Sequence, residues 1–347
     1  MKKKEDNNLK VYVCGTYYHL LIAIIKNLNC KGNNDIIITA SYQNDVLAKD
    51  NRIIKELEKS KIFKQIYIFD YSEEQKIIKK SKLYYLKNVI LIRKIYKSRK
   101  YKFIQNRKIY TFCDTELFGR YLNYFRIRYN LIEDGTDCFK YNLKSNLEYW
   151  KKQNLLIRLI KEKIFKCYIM GKSPLVDSIE VNDKKDVNIE HTMIIEKRKK
   201  DMFAKLSHQD KQLILQLFNS NIDVKKINHC SILITQPFWE DGKMDSEQQK
   251  IDMYKNVIEK HMKNDKVIIK PHPREKSDYL KCFENIDVID KNFPIEILLF
   301  YDSLVVDEIV TVASTSINLL NFCNEKKYLG WEWFSNYNKG LKENTLK

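Results

Sequence analysis

Four short clusters in this 347-residue chain combine side chains that can take up a proton or hold an anion. The first is Glu133-Asp134-Gly135, two adjacent carboxylates at the end of the candidate strand Tyr129–Glu133. A carboxylate there could accept a proton from a hydroxyl if its surroundings exclude water and raise its pKa. The plain alternative is an acidic surface turn that Gly135 allows to be tight. The second is Lys270-Pro271-His272-Pro273-Arg274, which follows the apolar run 267–269. Each proline fixes its own φ and restricts the residue before it, so His272 is held stiffly beside two cations. Such an imidazole suits an anion: it can donate to a phosphate or protonate a departing phosphate oxygen. The alternative is a solvated loop histidine.

The third cluster, Ser314-Thr315-Ser316, precedes an apolar helix-like run. Hydroxyls there either cap the helix or, with its free N–H groups, hold phosphate, and the two roles are compatible. The fourth, Cys14-Gly15-Thr16-Tyr17-Tyr18-His19, follows the first candidate strand and is either a substrate-facing turn or an ordinary strand-to-helix turn. A related loop, Gln236-Pro237-Phe238-Trp239-Glu240-Asp241-Gly242, offers aromatics for a sugar or base and two more carboxylates. Glu296 is a candidate ribose contact or a first-turn helix acid.

Other chemistries lack their signatures. Asp114-Thr115-Glu116 is the nearest approach to an Asp-x-Asp metal motif, and the six histidines show no zinc-ligand spacing. Neither a glycine-rich phosphate loop nor a nucleophile elbow occurs. The expectation is a transfer that needs no metal and no other cofactor, with His272, Lys270 and helix dipoles neutralising a leaving phosphate.

These residues must be positioned by strands. In the first half, Lys10–Cys14, Asp35–Thr39, Gln65–Phe69, Lys108–Cys113 and Tyr129–Glu133 read as short apolar strands, each followed by a helix-like segment such as Tyr18–Leu28. Tyr149–Tyr168 reads as one long amphipathic helix. In the second half the strands are His229–Thr235, Lys266–Lys270, Asp287–Ile289, Glu308–Val312 and Lys327–Gly330. Alternating strands and helices argue for parallel sheets covered on both faces. The expected fold is α/β: a Rossmann-like domain over 1–170, a junction over 171–205 and a second Rossmann-like domain over 206–347, facing a central cleft. Ligands of such sheets bind at the carboxyl ends of the strands, where all four clusters fall.

Composition narrows the setting. With 44% hydrophobic residues the chain can bury a core, and 63 Lys+Arg against 45 Asp+Glu leave it at +18. Between Lys76 and Lys108 stand thirteen basic residues and no acid. That stretch is a solvated face, an anionic-membrane contact or a nucleic-acid patch. No common nucleic-acid-binding signature accompanies it, so nucleic acid is not expected as a partner. The start of the chain lacks the apolar run of a signal peptide, and the eight cysteines form no pairs by spacing. A cytoplasmic protein is expected, peripheral on the inner membrane face if the basic stretch binds lipid. A homodimer is left open.

In their order and strand-tip placement, Glu133-Asp134-Gly135, His272-Pro273 and Ser314-Thr315-Ser316 resemble the motifs of bacterial sialyltransferases. The set is most similar to glycosyltransferase family 52, the lipooligosaccharide and capsule sialyltransferases, and the opening Gly15-Thr16 with Leu20-Leu21-Ile22-Ala23 is similar to that family's start. The resemblance implies a GT-B-like fold with 1–170 on the acceptor side and 206–347 binding the donor, CMP-sialic acid as that donor, a glycan or glycolipid acceptor, inversion at the anomeric carbon and no metal. It implies Asp134 as the general base, with Glu133 beside it and Asp241 as the second candidate. It implies His272 as phosphate contact and acid, and Ser314, Thr315 and Ser316 as phosphate-binding hydroxyls, with Lys270, Pro273, Gly15 and Thr16 around the ligand. Two other readings stand beside it: a CDP-glycerol-type glycerophosphotransferase, and a non-catalytic basic protein that binds nucleic acid or membrane.

Overall fold

The structure is a computed structural model that describes residues 9–42, 44–135, 139, 148, 150–167, 169–185, 187, 189, 193–218, 223–263, 266–301 and 303–344. The chain divides into two compact units, one through Leu217 and one from Phe218. Each is built on a parallel sheet with helices, the α/β class expected.

In the first unit β1 (Lys10–Cys14), β2 (Asp35–Ala40), β3 (Ile66–Asp70), β4 (Lys108–Thr111), β5 (Tyr129–Ile132), β6 (Val176–Val181) and β7 (Ile194–Glu196) form one sheet in the order β3-β2-β1-β4-β5-β6-β7. The first three strands step outward one way, and β4 then lands on the other side of β1. The order therefore reverses between β1 and β4, the place where open α/β sheets take their ligands. In the second unit β8 (Ser231–Ile234), β9 (Val267–Lys270), β10 (Asp287–Val288), β11 (Val306–Thr311) and β12 (Cys323–Tyr328) are ordered β10-β9-β8-β11-β12, with the reversal between β8 and β11.

The central strands are apolar almost throughout because helices cover both faces of a parallel sheet. β5 and β9 are buried at every position. The helix Tyr17–Asn29 starts where Thr16 leaves extended backbone and accepts the His19 N–H on its hydroxyl, an N-cap. Its residues 20–25 are fully buried, so it packs as an all-round apolar helix. Each unit has its own apolar core, one around Val11, Ile37, Phe69, Leu122 and Ile179, the other around Leu233, Tyr254, Ile269 and Val310.

Several expectations differ from the structure, among them the last strand, expected over Lys327–Gly330 and found at Cys323–Tyr328. Residues 171–205, expected as a junction, supply β6, β7 and the helix Lys199–Ala204, and the first unit continues to Leu217. Acidic residues hide these strands in the sequence. Glu180 lies buried within β6 and is tolerated because Lys26 pairs with it. The single helix expected over Tyr149–Tyr168 is broken at Asn154, whose extended backbone and side chain cap a new helix, Leu155–Leu159, continued as a π-turn over Ile160–Ile164. Residues 149 and 168 themselves lie outside the described residues.

Candidate active site

On the first unit the chemistry gathers above the β1/β4 reversal. β1 delivers Gly15 and Thr16, and three residues later His19 turns its ring back over the sheet. The ring stacks on Phe112, just past β4, with centroids 4.2 Å apart and planes within 5°. Its Nε2 lies 2.7 Å from Oδ1 of Asp134, just past β5. The Gly15 N–H donates to His19 Nδ1 at 3.2 Å, so in the neutral ring the proton sits on Nε2 and is donated to Asp134. Burial separates their roles. His19 is 5% exposed, whereas 43% of the Asp134 side chain meets solvent. Both ring nitrogens are engaged, so the group that can meet a substrate is the carboxylate. Gly15 and Thr16, expected at the ligand, act here through His19. Gly135, at φ 77°, turns the chain away immediately after Asp134, a conformation that favours glycine.

Glu133, the neighbouring carboxylate, points the other way. It is 4% exposed, accepts the Asn182 N–H at 2.7 Å and lies 3.8 Å from Lys199 Nζ, so it braces the β5 tip against β6. Asp114 is buried and accepts from the Tyr129 hydroxyl at 2.9 Å and the Gly171 N–H at 3.1 Å. Burial raises its pKa to about 6. Its backbone sits so close to Gly119 that a Cβ there would come within 2.4 Å, which pins the helix Leu117–Tyr124 to the β4 tip. At the head of that helix Glu116 is raised in pKa by burial, with the nearby Asp134 adding to the rise. Cys113 is pushed up to about 12, mainly by burial, and stays a thiol.

The second unit presents the His-Pro loop at the β9 tip. His272 Nδ1 accepts the Arg274 N–H at 3.2 Å, which in the neutral ring leaves the proton on Nε2. The His272 backbone N–H donates to Glu275 at 2.6 Å. Glu275 is the hub that the sequence did not reveal. It is 1% exposed and also accepts from the hydroxyls of Thr235 and Tyr279 and from Lys250 Nζ at 3.2 Å. Lys250, at 0% exposure, donates to both carboxylate oxygens of Glu240, at 2.9 and 3.0 Å. Glu240 accepts the Lys276 N–H in turn. The prolines thus stiffen a loop that a buried ion cluster holds from below, with Pro273 in the turn that carries His272.

Several residues expected at the ligand are committed elsewhere. Asp241 makes a two-pronged pair with Arg274, Oδ1 at 2.5 Å and Oδ2 at 3.1 Å, so both charges are engaged. Phe238 is 2% exposed and stacks on Phe334 at 4.3 Å, a core contact rather than a sugar platform. Glu296 is buried in the first turn of the 3-10 helix Ile295–Phe300. Lys270 is 5% exposed and donates to the carbonyls of Pro271 and Lys291, bracing the loop instead of facing a phosphate. Burial lowers its pKa to about 8 against the raising effect of Glu296. Below pH 8 the folded protein keeps a buried charge, whereas from pH 8 to 10.5 the folded state sheds a proton that the unfolded chain retains. Over that window wild type is expected to gain stability relative to Lys270→Met, measured as the difference between their denaturant unfolding free energies.

The hydroxyl cluster follows β11, two strands from His272 and so on the order of 10 Å away across the β8 tip. Ser314 donates its N–H to Thr311 Oγ1, and the Ser314 and Ser316 hydroxyls are 2.7 Å apart. Ser314 precedes a 3-10 helix of five residues, Thr315–Leu319, not the longer helix expected, so the hydroxyls matter more here than a helix dipole.

Two strand-tip sites therefore exist, each at or beside its sheet's reversal: a His-Asp pair on one unit, and a rigid histidine with a serine pair on the other. The sequence profile of glycosyltransferase family 52 matches residues 70–329, a span that holds Asp134, His272 and Ser314. The chain belongs to glycosyltransferase family 52. An uncharacterised Haemophilus influenzae protein is 36% identical to this family 52 chain over 176 residues, 48% of this chain and 51% of that protein. The match thus spans about half the length of that relative. Among solved structures, UDP-GlcNAc 2-epimerase from Neisseria meningitidis bound to UDP-GlcNAc is similar at TM-score 0.50 and 12% identity, over 89% of this chain and 78% of that one. That likeness shows the fold, two parallel-sheet α/β units of the GT-B type. An α/β-galactoside α-2,3-sialyltransferase from the luminous marine bacterium Photobacterium phosphoreum is similar at TM-score 0.48 and 16% identity, over 92% of this chain and 89% of that one.

Proposed function

We propose that this family 52 glycosyltransferase moves sialic acid from CMP-sialic acid to a hydroxyl of a glycan, with inversion. The observation that carries the reading is the contact between His19 Nε2 and Asp134 Oδ1, with the Gly15 N–H holding the tautomer. A buried imidazole that donates to a half-exposed carboxylate orients a proton acceptor at a ligand-binding reversal. Asp134 takes the acceptor O–H proton as that oxygen bonds to the anomeric carbon. The bond from that carbon to the phosphate oxygen breaks, and its electron pair leaves with CMP. His272 donates from Nε2 to a phosphate oxygen, and the Ser314 and Ser316 hydroxyls supply further donors. The acceptor chemistry is assigned to the first unit and the donor chemistry to the second. No step calls for a metal. An acceptor on lipooligosaccharide or capsule fits the same scheme.

The test is to incubate the purified protein with CMP-sialic acid and a panel of galactosides and sialosides and to separate the products. Sialylated product and free CMP are expected, and His272→Ala should slow CMP release by roughly 10²-fold or more. CMP released from CDP-glycerol, with none from CMP-sialic acid, would replace this reading with glycerophosphate transfer.

A further inference from the structure

We propose that Arg120 and the tyrosines around it form a subsite for a negatively charged group on the acceptor glycan, a carboxylate or a phosphate ester. The proposal rests on the reading of the first unit as the acceptor side. Arg120 lies on the helix Leu117–Tyr124 and is partly buried. Its described contacts are one phenol and three aromatic faces, with the Glu116 carboxyl within electrostatic reach: Nη1 donates to the Tyr84 hydroxyl at 3.0 Å, and the guanidinium lies 5.3 Å from the Tyr85 ring, 5.5 Å from Tyr84 and 6.0 Å from Phe165. A guanidinium has five N–H donors in a planar fork that matches carboxylate and phosphate oxygens. Aromatic faces orient that fork without neutralising it.

The surroundings raise the positive potential and supply surfaces for a sugar. Lys161 Nζ lies 5.1 Å over Tyr85, and Lys79 Nζ lies 4.0 Å over Tyr42. Tyr42 is within electrostatic reach of Tyr84, Tyr85, Arg120 and Glu116, and Glu116 is within reach of both Arg120 and Asp134. The tyrosines, the arginine and the carboxylate that takes the proton thus form one neighbourhood beyond the tips of β2, β4 and β5. A sugar ring lying on tyrosine faces, its acidic substituent against Arg120, would have a hydroxyl within the Asp134 neighbourhood.

Calorimetric titration of wild type with lactose, sialyllactose and a phosphorylated lactose tests this. Wild type should bind at least one anionic sugar about tenfold or more tighter than lactose, the gain expected of a charge-assisted contact. Whichever anion gains identifies the group. Arg120→Gln should erase that gain and leave lactose binding within about twofold, while Arg120→Lys, which lacks the fork, should retain only part of it. Equal wild-type affinity for neutral and anionic sugars would overturn the proposal, and so would an equal loss for both in Arg120→Gln. If Arg120→Gln fails to fold, the wild-type comparison still decides. Binding that follows the prediction in a protein that leaves CMP-sialic acid intact would sink the donor assignment and keep the subsite.

A separate observation carries a second inference: the helix Tyr84–Lys97 docks on an anionic lipid surface. Leu83, Leu86 and Ile90, spaced three and four apart, are 52%, 37% and 68% exposed, and Ile77 nearby is 73% exposed. Lys82, Lys87, Arg93, Lys94 and Lys97 flank that stripe and are exposed too. The helix Leu155–Leu159, whose continuation reaches Tyr85 through Lys161, also carries exposed Leu155, Leu156 and Leu159. An apolar stripe rimmed by cations matches the boundary between acyl chains and anionic headgroups, whereas a second copy of the same face would oppose like charges. Among the described residues no helix is long and apolar enough to cross a membrane, so the contact we infer is interfacial. The protein should cosediment with phosphatidylglycerol-containing vesicles and not with phosphatidylcholine alone, and the double variant Leu86→Ser/Ile90→Ser should weaken that binding by about tenfold. Equal binding to both vesicles, or a dimer in solution that the double variant splits, would overturn it.

Discussion

Asp134→Asn is expected to lower transfer by roughly 10²- to 10⁴-fold and to leave CMP binding unchanged. The asparagine carbonyl still accepts from His19 Nε2–H, so the position of the side chain persists while its capacity to take a proton is lost. His19 should show a graded effect. His19→Gln keeps an N–H near the place of Nε2 and should retain more activity than His19→Phe, which leaves Asp134 without its donor. Initial rates at saturating donor, beside calorimetric titration with CMP, would check this. An Asp134→Asn enzyme within about twofold of wild type would remove Asp134 from the reaction and return attention to other carboxylates. Asp241 is a weaker replacement, because its two oxygens already hold Arg274.

Lys250→Met is expected to cost about 3–5 kcal/mol of stability, because it strands Glu240 and Glu275 in a buried place. Lys250 has 0% of its side chain exposed, and so has Glu275. Removing the cation leaves carboxylates that water cannot reach, and the desolvation penalty then stands uncompensated. In a unit of this size the loss corresponds to a fall on the order of 10–20 °C in its melting midpoint. The effect also reaches the chemistry, since Glu275 holds the His272 backbone N–H. Scanning calorimetry beside the transfer assay measures both. A loss below about 1 kcal/mol would mean that the carboxylates find other partners on relaxation.

The parts of the site visible in the sequence are those whose meaning is local. The candidate strands Lys10–Cys14 and Lys266–Lys270 lie at or within one residue of β1 and β9, because buried parallel strands are short continuous apolar runs. His272 between two prolines and Gly135 after two carboxylates announce tight turns at strand tips for the same local reason. Burial, by contrast, could not be seen. Glu133 and Asp134 are adjacent and chemically alike, yet consecutive residues at a strand end face opposite ways, and only one meets solvent. Lys270 and Phe238 look like ligand contacts until neighbours distant in the chain enclose them. β6 and β7 were hidden because the charges that would argue against a strand are neutralised by partners such as Lys26, 154 residues from Glu180.

The residue pattern alone determined the α/β class, the strand tips that carry chemistry and, through three short motifs, the family. Pairing across the fold was left to tertiary structure: His19 with Asp134 across 115 residues, Lys250 with Glu275, and Arg120 with Tyr84. The physical reason is that apolar periodicity and turn chemistry are properties of neighbouring residues, whereas a proton acceptor is made by who lies beside it and how much water is left.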